Sequence, residues 1–154
     1  DVKVSSSGNI KGNINGNNIN IQTSSSGEFY GEVNARNLSM QSSSSGGINI
    51  KGKVERVSAQ ASSSGDIKAE NLTADSAVLT TSSSADITIG VRTSLTASAS
   101  SSGDIDVVKR GDLSKVSKNE SSSGTINISK LYFLTKTRRA LKNQGSFYLN
   151  NKLF

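Results

Sequence analysis

A chain of 154 residues has the length of one domain, and with only 32% apolar residues any core it builds is thin. It holds neither cysteine nor histidine, which excludes disulfides, thiolate chemistry and every nucleophile or metal site that depends on imidazole. The formal charge of +6 is confined to the end of the chain, and no apolar run approaches the roughly 18 residues of a membrane-crossing helix.

Asp1 to Val4 reads as the close of a coil, because Val2 and Val4 fall three and one residues before the first Ser triplet, with no cap ahead of them. An open first rung presents unpaired backbone groups. The expectation is therefore that the natural protein continues upstream, with any export signal there, and that exposed rungs associate end to end.

From Ser5 a tetrapeptide recurs: Ser-Ser-Ser-Gly, once Ser-Ser-Ser-Ala, begins at Ser5, Ser24, Ser43, Ser62, Ser82, Ser100 and Ser121, in steps of 19, 19, 19, 20, 18 and 21 residues. Chance would place about a tenth of one such tetrapeptide in a chain this rich in serine, so the spacing is a structural period. The sixth residue of every repeat is large and apolar: Ile10, Phe29, Ile48, Ile67, Ile87, Ile105 and Ile126. Before each following triplet, Ile19, Leu38, Val57, Ala77, Leu95 and Val116 keep a second apolar register, and Ile21, Met40, Ala59, Leu79 and Ala97 a third. Alternation with period two puts one set of side chains on one face of a strand, and its recurrence stacks like on like. The predicted fold is all-β: a single-stranded parallel β-helix, or β-solenoid, of about seven coils with an 18–21 residue repeat over residues 1–129. The triplet is expected to form a tight corner in which Gly supplies positive φ. The variable middle of each repeat, such as GEVNAR or VKRGDL, is expected to form a third side ending in a loop.

After Ser129 the pattern stops. Residues 1–129 carry 12 Lys and Arg against 12 Asp and Glu, whereas residues 130–154 carry six Lys and Arg, no acid, and five of the seven aromatics. This basic aromatic segment is expected to be a C-terminal tail or cap, with a short helix near Thr137 to Asn143 and a strand at Ser146 to Leu149. With the body neutral, nucleic acid is not an expected partner.

The SSSGDI of residues 62–67 and 100–105, with its variants SSSGNI, SSSGEF, SSSADI and SSSGTI, closely resembles the repeats of the putative auto-transporter adhesin, head GIN domain family. The resemblance covers residues 1–129. It implies a parallel β-helix, export to the cell envelope (periplasm or cell surface) of a Gram-negative bacterium, and an adhesin or surface role. It brings no catalytic residues with it.

The residue after each corner reads Asn9, Glu28, Gly47, Asp66, Asp86, Asp104 and Thr125, so coils in register place Asp66, Asp86 and Asp104 in one ladder about 5 Å apart. Like charges at that spacing repel by about 0.8 kcal/mol in water. Backbone N–H groups and solvation are expected to offset this, the alternative being a cation on the ladder. No catalytic, cofactor-binding or metal residue is assigned, and the ladder is singled out as a surface feature. With Lys68, Arg92, Lys109 and Arg110, the same carboxylates are the candidates for the alternative of a polysaccharide-active β-helix enzyme. Outward Ser and Thr ladders raise an ice-binding solenoid as a further alternative, although a mixture of Ser, Gln and Ala is not a flat Thr-x-Thr array. The expected function is a non-enzymatic structural or adhesin-like module, either a stiff spacer or a binder whose long polar side engages a glycan or an envelope protein many times over.

Overall fold

The computed structural model describes residues 1–130; the tail expected over residues 130–154 lies, from Leu131 on, outside the described residues. Ten strands follow one another: β1 (Val2–Val4), β2 (Asn9–Lys11), β3 (Ile14–Thr23), β4 (Glu28–Ser43), β5 (Gly47–Ser62), β6 (Asp66–Thr81), β7 (Asp86–Ala99), β8 (Asp104–Lys109), β9 (Lys115–Glu120) and β10 (Thr125–Ser129). Every pairing is parallel and joins one repeat to the next, so the sheet winds into a solenoid of about seven turns, with no helix among the described residues. In the complete coils the chain stays extended nearly all the way round, so strands β4, β5 and β6 each run 16 residues between corners.

The alternation sets the core. Phe29, Ile48, Ile67, Ile87, Ile105 and Ile126 pair in succession along the axis, each almost completely buried. Opposite them Leu38, Val57, Ala77 and Leu95 form one inward column, and Met40, Ala59, Leu79 and Ala97 another. Each large aliphatic side chain so buried contributes about 1.5–3 kcal/mol, which a single isolated coil could not gain. Two residues expected inside, Ile10 and Val116, are 40% and 44% exposed. Each lies on a strand that pairs on one side only among the described residues, β2 with β4 and β9 with β7.

The corners differ from expectation in which residue bends. The second and third Ser of every triplet hold positive φ, between 49° and 67°, whereas the glycine that follows does not. The glycine N–H closes the turn on the first Ser carbonyl, at 2.9–3.0 Å: Gly27 on Ser24, Gly46 on Ser43, Gly65 on Ser62, Gly103 on Ser100, Gly124 on Ser121, and Gly8 on Ser5. Two left-handed residues inside an i to i+3 bond make a primed turn, whose hand matches the twist of extended chain. Glycine is needed for room instead: a Cβ on Gly65 would stand 2.5 Å from the Ser42 carbonyl carbon in the coil beneath. Where Ala85 replaces glycine, the Asp86 N–H reaches the Gly65 carbonyl at 3.3 Å, against 2.8–3.1 Å at the other corners. The corner opens slightly to admit the methyl group.

In the VKRGDL coil residues 110–114 form the expected loop between β8 and β9, whereas in the complete coils β4, β5 and β6 the variable middle is strand rather than loop. Its bends are single residues left out of the pairing, Arg36, Glu55 and Asp75 in successive coils, which form a second corner between Ala35 and Asn37, Val54 and Arg56, and Ala74 and Ser76. A register irregularity after Asn49 in β5 and after Ala69 in β6 sets off the stretch next to the serine corner. Each coil therefore has three sides: a short one after the serine corner, a second running to the charged corner, and a long third side returning to the next triplet. The fifth coil is cut short on its second side: Ala69 pairs with Ile89 and Thr73 with Gly90, leaving Glu70, Asn71 and Leu72 unmatched in β7.

Candidate binding faces

On the short side the structure places the three carboxylates in register, Asp66 against Asp86 and Asp86 against Asp104. The Asp66 carboxylate also meets the ammonium of Lys68, two residues along the same face, at 3.6 Å. Partial burial pushes the Asp86 carboxyl above its ordinary value of 3.8, the neighbouring charges of Asp66, Asp104 and Asp106 add to the rise, and the Asp104 backbone N–H opposes it. Among the described residues no group of three or more acidic side chains is placed to hold a metal ion.

Arg92 and Arg110, considered with those aspartates in the sequence, stand elsewhere. They line a groove with Lys53, Val54, Thr73 and Asp75 on the second side and its charged corner, while Asp66 and Lys68 line a different hollow with Glu28 and Tyr30. Lys109 ends β8 opposite Val91. Of the cations considered with the aspartates, Lys68 shares their face, whereas Arg92 and Arg110 line a different groove. Arg92 donates to Asp75 at 2.9 Å across the charged corner, as Arg36 meets Glu55 at 3.7 Å two coils below. Along the axis the corner residues run Arg36, Glu55, Asp75 and Arg92, so the two acids are neighbours and each is paired with a base on its other side.

The long third side has another character. Strand alternation turns three residues of each coil outward: Asn18, Asn20 and Gln22, then Asn37, Ser39 and Gln41, then Arg56, Ser58 and Gln60, then Ser76, Val78 and Thr80, then Ser94, Thr96 and Ser98. Three columns result, and none contains a carboxylate. Within them the amides bond along the axis, Asn37 to Asn18 at 2.7 Å and Gln41 to Gln60 at 3.4 Å, and Arg56 donates to Asn37 at 2.8 Å. Such bonds hold the side chains in one orientation and leave further donors and acceptors outward. A shallow groove runs along this side, floored by the buried Ile19, Leu38 and Val57 and rimmed by Asn18, Asn37, Arg56 and Val78, with Asp1 at its end on the rung before these five coils. The period-two pattern was sufficient to find this polar side. Lys53 and the cation groove were missed, because their meeting depends on where the fifth coil skips residues.

A family model described as "Putative auto-transporter adhesin, head GIN domain" matches residues 1–112. Among solved structures, the chain is similar to a putative adhesin from Bacteroides fragilis, with TM-score 0.72 and 22% identity over 79% of this chain and 55% of that one. It is also similar to a putative lipid binding protein from Parabacteroides distasonis, with TM-score 0.65 and 27% identity over 83% of this chain and 56% of that one. The chain thus spans about half the length of either neighbour. No curated protein matches it.

Proposed function

We propose, from the premise that the chain belongs to the putative auto-transporter adhesin, head GIN domain family, that it is a non-enzymatic, exported binding module of the cell envelope whose long third side docks a glycan chain. The observation that carries this reading is the composition of that side. Five consecutive coils present amides and hydroxyls, with one arginine, one exposed valine and no carboxylate, in columns repeating about every 4.8 Å. Neutral saccharides are recognised by such groups, each weakly, and a repeating ligand on a repeating face accumulates affinity through multivalency. The sheet beneath supplies rigidity, so little side-chain and backbone freedom is lost on binding. Outward groups on the other two sides are mixed acids and bases, which suit solvation better than docking a neutral chain.

A glycan array probed with the full chain and with two variants tests the reading. Ser58→Tyr plants a ring in the middle of the third side, and Lys68→Gln changes the short side only. Reproducible binding to a class of polymeric glycan that Ser58→Tyr removes and Lys68→Gln spares is the expected result. Silence across the array, or binding indifferent to Ser58→Tyr, would leave the chain a stiff spacer.

A further inference from the structure

We infer that the groove beside the charged corner, lined by Lys53, Thr73, Asp75, Arg92 and Arg110, is an anion subsite that gives the docked glycan its chemical class, an acidic polysaccharide. The inference deepens the glycan reading and rests on it. Three cations face one carboxylate in this groove of about 510 Å³. That carboxylate already accepts from Arg92 at 2.9 Å, and among the described residues neither Lys53 nor Arg110 forms an ion pair. A surplus of two positive charges remains in a body that elsewhere balances them.

The site is built rather than incidental. Where the fifth coil skips three residues, Gly90 falls in the outward column that Asn34, Lys53 and Thr73 occupy in the coils below. A Cβ on Gly90 would stand 2.8 Å from Nε of Arg110, so the glycine clears the notch in which that side chain lies. From the coil above, Arg110 reaches back across this gap and donates an Nη hydrogen to the Glu70 carbonyl, which the skip leaves without a partner in β7. The guanidinium is thereby fixed, while its Nε is buried with no partner. An oxygen anion entering the groove would meet that donor's guanidinium, the Lys53 ammonium and the Thr73 hydroxyl, a set suited to a carboxylate or phosphate oxygen. Because Arg92 and Asp75 form the corner that the second and third sides share, a chain lying on the third side can turn one acidic substituent into the groove. A membrane is the less favoured source of the anion, since this is one local groove on a rod whose described body has no broad basic face.

The test compares polygalacturonate with its methyl ester, which keeps the backbone and removes the charge, in titrations of the full chain, Lys53→Gln and Arg110→Gln. Vesicles of phosphatidylcholine with phosphatidylglycerol are run in parallel. The free acid is expected to bind at least tenfold more tightly than the ester, and each substitution is expected to lower that affinity about tenfold while leaving ester binding unchanged. Because the basic tail is present in every protein tested, free-acid affinity that both variants retain would assign the preference to the tail and overturn the inference. Equal binding of acid and ester would overturn it while leaving the glycan reading intact. Binding to neither polymer would overturn the inference, and with a silent glycan array it would sink the glycan reading too, while vesicle binding sensitive to Arg110→Gln would move the anion to a lipid headgroup. Circular dichroism of Arg110→Gln guards against misfolding, and Lys53→Gln, on a coil with no skip, carries the test if that variant unfolds.

Discussion

Asp86 stands between two carboxylates of adjacent coils, and its carboxyl is raised by partial burial and then by those neighbours. A folded-state value above the unfolded one means that the native rod binds this proton more tightly. The associated stability is complete below the ordinary value of 3.8 and is lost as pH rises through the folded-state value, so at neutral pH the ionised ladder weakens the fold slightly. Asp86→Asn is accordingly expected to raise the melting temperature at pH 7 by about 1 °C, a few tenths of a kcal/mol after solvent screening, with the difference vanishing in acid. Added calcium is expected to shift neither protein. A fall in melting temperature on substitution, or a calcium-dependent rise that Asp86→Asn abolishes, would instead place a cation on the ladder.

The serine corner is the element on which the coils turn, and its tetrapeptide period was plain in the sequence. The division of labour inside it was not. Glycine tolerates positive φ, so the bend was expected there, yet Ser63 and Ser64 hold φ of 51° and 65° while Gly65 provides clearance. Left-handed serine costs about 1–2 kcal/mol per residue in backbone sterics. That cost is offset in the stack, because the third Ser of each of the first six triplets donates its N–H to the second Ser carbonyl of the next coil, Ser45 to Ser63 at 3.3 Å and Ser64 to Ser83 at 3.2 Å. Sequence patterns report side-chain periodicity, whereas this bond belongs to the backbone and leaves no residue signature beyond small size. Ser64→Gly should therefore be neutral or mildly stabilising in chemical denaturation. Ser64→Val, β-branched at a left-handed position, should cost at least 1–2 kcal/mol. Similar stabilities for the two variants would show that the corner carries no such strain.

For the whole molecule, repetition made the solenoid legible: once Ile48, Ile67 and Ile87 share a repeat position, their stacking and the outward turn of Gln41, Gln60 and Thr80 follow from strand geometry. Departures from the repeat were illegible for the same reason. The steps of 20 and 18 residues around Ser82 announced an irregularity without saying which residues lose their partners. The Gly90 notch and the seating of Arg110 depend on that choice. Function at this scale is a matter of length. The five coils from Asn18 to Ser98 extend about 19 Å along the axis between their first and last rungs, and a ligand gains successive contacts only while it is shorter than the face. Titration calorimetry of the full chain with a size-graded series of oligosaccharides from the best array glycan tests this most directly. Affinity is expected to rise with each added unit and to level off once the ligand spans the third side, with the rise lost in Ser58→Tyr. Affinity that is independent of length, or a rise that Ser58→Tyr leaves intact, would contradict recognition by the stacked polar face.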